Sequence, residues 1–234
     1  MSTFNDFYNI YKSGAINNNN AYDEFYNRKN NTRKEKEATI TVQKLKPIKD
    51  ERCVILIPVY KAYPDDFESI NLKNTFSKLA QFDVCLLCPD SLNVSAYQEL
   101  AGYDLQVFRK ADVFFRGKES YSRMMESPRI YRSLDAWGYT LIVQPDVYIF
   151  GTAERLIDFI EMKPVYLGGP WTEEYCKKLG IIGEYCGNGG LSLRHNKQIG
   201  DLLEKSSHKN ERLKTVEDQF ISYMLYHEGL AIPA

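Results

Sequence analysis

Apolar positions along this 234-residue chain fall into two regimes that divide near Arg52. Beyond it, short continuous apolar runs alternate with longer stretches of helical spacing. Cys53–Ile57 is apolar throughout, the pattern of a strand covered on both faces, and Pro58 stops it. Asp65 or Asp66 then caps a helix to about Leu79, with Phe67, Ile70, Leu72, Phe76 and Leu79 as its apolar positions. Val84–Cys88 predicts a second buried strand, ended by Pro89. A short helix near Ser95–Leu100 and a strand near Leu105–Phe108 follow. Ser120–Trp137 reads as mostly helical, interrupted near Pro128, and Tyr139–Val143 is a third buried strand. Another apolar strand is predicted at Val165–Leu167 and an alternating one at Leu191–Arg194. An amphipathic helix carries Phe220, Ile221, Met224 and Leu225.

Strand and helix alternate at the spacing of βαβ units. The predicted fold class is therefore α/β: a single domain with a mostly parallel central sheet flanked by helices. Ligands of such sheets bind at the carboxyl ends of the strands, here Pro58–Lys61, Pro89–Ser91 and Gln144–Asp146.

Residues 1–50 form the other regime, with the run Asn17–Asn20, a second polar stretch from Asn27 to Glu37, and scattered aromatics. Such a segment buries little by itself. Short helices around Phe4–Lys12 and Tyr22–Arg28, packed on the main domain or on a second copy of the chain, and a mobile extension are both consistent with it. The expected division is this extension followed by one domain over 51–234.

Composition narrows the function. The length allows one sizeable core but not two ordinary domains. Thirty basic residues face 31 acidic ones, so the chain has no general pull towards nucleic acid or an anionic membrane. Five cysteines, an odd number, without a signal peptide point to free thiols in a reducing compartment. Cys85 and Cys88 lie three apart in a predicted strand and so face opposite ways, which favours buried thiols over half a zinc site. No apolar run reaches the roughly 20 residues of a membrane span. The chain reads as cytoplasmic, with peripheral membrane contact left open.

Three segments carry candidate chemistry. Asp146, in Gln144-Pro145-Asp146 at a strand end, is placed either to hold a divalent cation on a diphosphate or merely to turn the chain. Gly187-Asn188-Gly189-Gly190 holds three glycines in four residues, which allow positive φ and close approach of a ligand; an ordinary glycine turn is the alternative. Asn188 offers a donor and an acceptor to a sugar hydroxyl. Glu217-Asp218 opens the last helix, where the pair either complements the helix dipole or supplies a general base. Trp171, after Gly168-Gly169-Pro170, suits either a sugar ring or the core. Arg123 suits a diphosphate or a surface ion pair. The histidines His195, His208 and His227 have no metal-ligand spacing. The chain lacks G-x-S-x-G, a P-loop and G-x-G-x-x-G.

In order, these segments resemble the nucleotide-sugar glycosyltransferases of the GT-A fold. Ile55-Leu56-Ile57-Pro58-Val59-Tyr60 looks like the opening strand of that fold, Gln144-Pro145-Asp146 stands where the family carries Asp-x-Asp, and Glu217-Asp218 resembles its late acidic pair. A closer resemblance is to a microbial group of GT-A-like proteins. It rests on Tyr121–Met125, the Gln-x-Asp turn, Gly-x-Pro-Trp and Gly-Asn-Gly-Gly-Leu-Ser-Leu-Arg. The likeness runs from about Arg52 to Ala234.

The resemblance implies a Rossmann-like GT-A domain that moves a sugar from a nucleoside diphosphate to a hydroxyl acceptor, with inversion, in cell-surface glycan or polysaccharide synthesis. Asp218 would be the base, with Glu217 second. Asp146 would hold Mn2+ or Mg2+. Pro58, Val59, Tyr60, Arg123, Gln144, Asn188, Gly189 and Gly190 would line the donor, and Trp171 a saccharide, lipid-linked or protein acceptor. Gln144 replaces the family's first Asp, which leaves one strong oxygen anion for the cation. Related domains continue past Ala234, so a truncated end is expected. A non-catalytic nucleotide-sugar or glycan-binding module and a nucleotidyltransferase are the rival readings; the latter wants a basic glycine-rich loop after the first strand, and Lys61 supplies one cation and no glycine.

Overall fold

The structure is a computed structural model that describes residues 40–178, 185–206 and 216–230. Six strands form one sheet: β1 (Cys53–Pro58), β2 (Asp83–Pro89), β3 (Gln106–Lys110), β4 (Tyr139–Val143), β5 (Tyr166–Trp171) and β6 (Tyr185–His195). Their order across the sheet is β3-β2-β1-β4-β6-β5. β1 pairs in parallel with β2 and with β4, and β2 with β3. β6 runs antiparallel to both of its neighbours, β4 and β5. The chain leaves β1 towards β2 on one side and later returns to β4 on the other. That reversal makes the adjoining carboxyl ends of β1 and β4 a topological switch point, where ligands of such sheets bind.

Helices cover both faces. On one side lie α1 (Asp66–Lys78), α2 (Ser95–Ala101) and α5 (Ala153–Glu161), whose Leu72, Phe76, Tyr97, Leu156 and Ile160 share a core with Ile55 and Ile57 of β1. On the other lie α3 (Lys118–Met125), α4 (Pro128–Ser133), α7 (Asn196–Ser206) and α8 (Glu217–His227), packed on Val54 and Leu56. Successive β1 residues thus enter opposite cores, which is why this strand has no polar alternation. Truncating Leu56, fully buried, to alanine costs about 2–5 kcal/mol. Cys85 and Cys88 belong to the two opposite cores, as their spacing predicts, and burial pushes the Cys88 thiol up to about 11.

Local chemistry sets the element ends. Asp65 caps α1, accepting from the Glu68 N–H at 2.9 Å while Glu68 accepts from the Asp65 N–H at 3.0 Å, a capping box. Pro128 stands in the first turn of α4, where its missing N–H is harmless. Ile70, expected on the apolar face of α1, is 60% exposed. Residues 40–49 lie against the domain: the Ile48 and Lys49 N–H groups and the Trp137 indole all donate to buried Asp83. The helices expected at Phe4–Lys12 and Tyr22–Arg28, His208, and the last four residues lie outside the described residues.

The glycine run corrects an expectation. Gly187–Gly190 is not a loop ahead of a strand but part of β6, paired with β5 through register shifts around Gly169. None of its glycines uses positive φ; among the described residues only Gly102 and Gly229 and the non-glycine Lys163 do. What these positions need is room, not an unusual backbone angle.

Candidate functional site

Asp146 sits in a turn closed by the Val147 N–H to the Gln144 carbonyl at 2.9 Å. Its carboxylate is exposed, though protein crowds one side of it. Desolvation, with some help from the Glu68 carboxylate, pushes its pKa above the ordinary carboxylate value, against its own backbone N–H and the Lys61 ammonium. Lys61, three residues beyond β1, bonds Glu68 at 2.8 Å and Asp65 at 3.3 Å. Burial disfavours the Lys61 charge, but these carboxylates outweigh it and hold its pKa up. The Tyr97 hydroxyl donates to the Lys61 carbonyl at 2.9 Å, and Tyr60 is 43% exposed beside it in sequence. Val59 is core, its N–H bonded to Leu87, so its side chain faces no ligand.

The turn is fixed from α1. Asn71 donates to the Pro145 carbonyl at 3.2 Å, Asn74 accepts from the Ile149 N–H at 3.0 Å, and Lys78 donates to the Phe150 carbonyl at 2.9 Å. Residues three and four apart share one helix face, and here that face is polar to meet a loop.

Gln144 joins this turn to the glycine strand. Its N–H donates to the Gly190 carbonyl at 2.9 Å. Its side-chain oxygen would lie 2.9 Å from a Cβ on Gly190, so the amide folds over that glycine. The Gly190 N–H donates in turn to the exposed Asn188 side chain at 2.9 Å.

The acidic pair follows immediately. The Gly189 N–H donates to Asp218 Oδ2 at 3.1 Å, and the Gln219 N–H to Asp218 Oδ1 at 2.8 Å. A Cβ at Gly189 would stand 2.8 Å from Glu217 Oε1, so only glycine lets β6 approach α8 this closely. Desolvation first, and the Glu217 carboxylate second, raise the Asp218 pKa; the Gly189 and Gln219 N–H groups and Arg194 pull it down.

Glu217 has a different setting. It is buried and accepts from Arg194 Nη2 at 3.0 Å, with the arginine side chain wholly inaccessible. Arg194 also donates through Nη1 to the Tyr131 hydroxyl at 2.8 Å and through Nε to Ser192 Oγ at 3.0 Å. Ser192 donates to the Gly189 carbonyl at 3.1 Å. The Arg194 charge survives burial because Tyr131, Tyr166 and Glu217 surround it. The network is closed, as a buried ion pair requires.

Trp171 ends β5 and lies over Gly187, where a Cβ would come within 2.5 Å of the indole ring. Tyr175, on α6 (Glu173–Lys178), meets the indole edge-on with ring centres 5.3 Å apart. The Gln219 amide donates to the Tyr175 hydroxyl.

The structure thus gathers Gln144, Asn188, Gly189, Gly190, Asp218 and Glu217 into one bonded group, with Trp171 beside it. Pro58, Tyr60 and Asp146 stand at the ends of the adjoining strands β1 and β4. Arg123 lies on α3, on the α8 side of the sheet, 4.0 Å from Glu119 in an exposed pair. The sequence reading placed Lys61 at a ligand-binding strand end but missed Arg194, Tyr131, Tyr175 and Gln219 in this group. Ser192 and Arg194 did leave a signal: two polar residues that alternate with Leu191 and Leu193 and so share one side of the strand.

The resemblance implies a divalent cation at this end of the sheet. Among the described residues no cluster of three or more His, Cys, Asp or Glu side chains could hold a metal. Asp146 offers an exposed anion whose charge is partly desolvated. A hard cation that takes its remaining ligands from diphosphate and water fits that donor set; an all-protein cage does not. No helix among the described residues is long and apolar enough to cross a membrane.

Solved structures resemble the chain in fold. The WbbM bifunctional glycosyltransferase in its apo form matches at 12% identity and a TM-score of 0.52, over 79% of this chain and 39% of the other. This chain therefore spans well under half of that protein. An active-site mutant of LgtC matches at 14% identity and a TM-score of 0.52, over 74% and 70% of the two chains. Core-mannan synthase A from Aspergillus fumigatus, in a Mn/GDP form, reaches a TM-score of 0.46 at 10% identity over 76% and 70%, too loose to carry weight. At these identities the likeness is one of architecture: the sheet and its flanking helices match GT-A-like glycosyltransferase folds. No curated protein matches the chain in sequence. A family model does: it spans residues 104–234, from just before β3 through Asp146, the glycine strand and Asp218, and the chain belongs to the family described as Protein of unknown function (DUF5672).

Proposed function

We propose that this chain is a glycosyltransferase that moves a sugar from a nucleoside diphosphate to a hydroxyl acceptor. One observation carries the reading. Within a GT-A-like fold, an exposed carboxylate at the end of β4 and a half-buried one on α8 are joined through Gln144, Gly190 and Gly189.

Asp218 is the general base. Its raised pKa makes it a stronger proton acceptor, and its two backbone N–H partners hold it in place. The acceptor oxygen bonds to the anomeric carbon and its proton passes to Asp218. The bond from that carbon to the diphosphate oxygen breaks, with the electron pair leaving on the diphosphate. Attack from the face opposite the leaving group inverts the anomeric centre. Glu217, buried against Arg194, is no second base but a structural partner.

On the donor side Asp146 would hold a divalent cation, which supplies charge neutralisation for the leaving diphosphate when bound. Tyr60 and Gln144 flank the donor, with the main chain of Pro58 and Val59. Asn188 and the Gly189–Gly190 backbone line the sugar, and Arg123 is assigned to the outer nucleotide side. Trp171 belongs to the acceptor side. We assign residues 51–234 to this domain and leave the nucleotide, the sugar and the glycan pathway open.

Thermal unfolding with UDP, GDP, CDP, dTDP and ADP, each with and without Mn2+, tests the reading. A ligand at 100 times its Kd stabilises by about 2.7 kcal/mol. One nucleotide should raise the midpoint, and Asp146→Ala should remove that rise. No response to any of them sinks the donor site. A non-catalytic module, favoured by the single carboxylate at the β4 turn, predicts the same binding with no transfer of sugar to any acceptor.

A further inference from the structure

We infer that Trp171, Tyr175 and Gln219 form a subsite for a neutral pyranose, so that the acceptor is a carbohydrate; this rests on the assignment of Asp218 as base. The three residues come from separate places in the chain yet form one contiguous surface. Trp171 is half-buried and pinned over Gly187, Tyr175 is exposed, and their rings meet edge-on at 5.3 Å. A pinned, partly exposed indole presents an apolar face of the size of a sugar's C–H face, and fixing it beforehand lowers the ordering cost of binding.

Polar recognition stands next to it. Gln219 is held by the Tyr175 hydroxyl through its amide nitrogen. Its side-chain oxygen remains as an acceptor for a sugar hydroxyl. Its backbone N–H bonds the Asp218 carboxylate at 2.8 Å. A ring stacked on the aromatic pair and bonded to Gln219 therefore has a neighbouring hydroxyl within the neighbourhood of the base.

Charge decides between acceptor classes. The ionic residues of α6 cancel in pairs, Lys177 with Glu173 at 2.7 Å and Lys178 with Glu174 at 2.9 Å. Asp218 adds a negative group. Among the described residues a phosphate-bearing head group would meet no excess of cations here, and a neutral sugar meets no penalty.

Tryptophan emission of the full chain reads this subsite directly. The chain has two tryptophans, and Trp137 is 1% exposed and bonded to Asp83, so external additives act on Trp171. The probes are methyl glycosides and disaccharides of neutral hexoses, phosphatidylglycerol vesicles, and a Ser/Thr-rich peptide. At least one neutral saccharide should change the emission saturably. Tyr175→Ala and Gln219→Ala should each weaken that response about tenfold without altering stabilisation by the nucleoside diphosphate. Tyr175→Phe, which keeps the ring, should weaken it less.

Emission that ignores every saccharide while a nucleoside diphosphate still binds overturns the subsite and leaves the donor reading standing. A response to vesicles or peptide alone, or a saccharide response unchanged in both alanine variants, overturns it as well. Loss of all nucleotide binding in the parent chain would bring down the underlying reading instead.

Discussion

At the carboxyl ends of the strands, the parallel half of the sheet and its antiparallel flank handle charge in different ways. Beside β1 and β4, Lys61, Asp65, Glu68 and Asp146 gather at the rim, where water reaches them. Beside β6, an arginine is taken wholly inside and closed off by Glu217, Tyr131 and Ser192. Rim charges can change partners when a ligand arrives, since water screens each loss. A buried pair has no such freedom, so its neighbours inherit its rigidity. The proposed donor side is thus adjustable and the proposed base is held fixed.

The largest effect that can break this contrast is catalytic. Asp218→Asn keeps a partner for the Gly189 N–H but removes the base, and transfer should fall about 100- to 10,000-fold with nucleotide binding retained. Initial rates under saturating donor measure it; full activity removes Asp218 from the chemistry.

Stability should separate the halves almost as strongly. Arg194→Met leaves Glu217 buried without its partner and should cost about 3–5 kcal/mol. Lys61→Met, at a partly exposed pair, should cost about 1 kcal/mol or less. Denaturant midpoints decide, and equal losses would erase the distinction. Gly189→Ala falls between them. Its added methyl meets Glu217 at 2.8 Å and Arg194 at 3.2 Å, so about 1–3 kcal/mol is expected.

The smallest effect concerns pH. Asp218 has a native pKa raised above its unfolded value, chiefly by desolvation and then by Glu217. Such a group favours the folded state most below the unfolded value near 3.9, and that contribution is lost as pH rises through the native pKa. Asp218→Asn should therefore unfold later than the parent at neutral pH, with the gap closing as pH falls into the ordinary carboxylate range. A gap that widens towards acid would reverse the direction of the Asp218 shift.

The parallel half was legible because its signals are local. Cys53–Ile57, Val84–Cys88 and Tyr139–Val143 are apolar runs that appear as β1, β2 and β4 within a residue or two, and Asp65 caps α1 through a pattern four residues long. The antiparallel flank was harder to read because its logic is non-local. Gly187–Gly190 looked like a turn, since nothing nearby shows that β5 lies on one side and α8 presses from the other. The alternation of Leu191–Arg194 does not show where Arg194 points; only the helix that covers it, 23 residues later, brings Glu217 to meet it. Asp146 and the Glu217–Asp218 pair could be singled out from sequence, and the resemblance ranked Asp218 ahead of Glu217, but the burial of Glu217 against Arg194 could not be read there.

One contact pattern has an evolutionary consequence. The hydrogen bonds from α1 to the Asp146 turn all go to main-chain groups: the carbonyls of Pro145 and Phe150 and the N–H of Ile149. Asn71, Asn74 and Lys78 set the path of that loop without reference to the side chains it displays. Selection can therefore exchange the residues around Asp146 one at a time while the scaffold beneath stays in place. Relatives that keep Asn71, Asn74 and Lys78 should vary more freely at Tyr148 than at Val147 and Ile149, which pack on the core, and ligand preference can drift there without refolding the strand end.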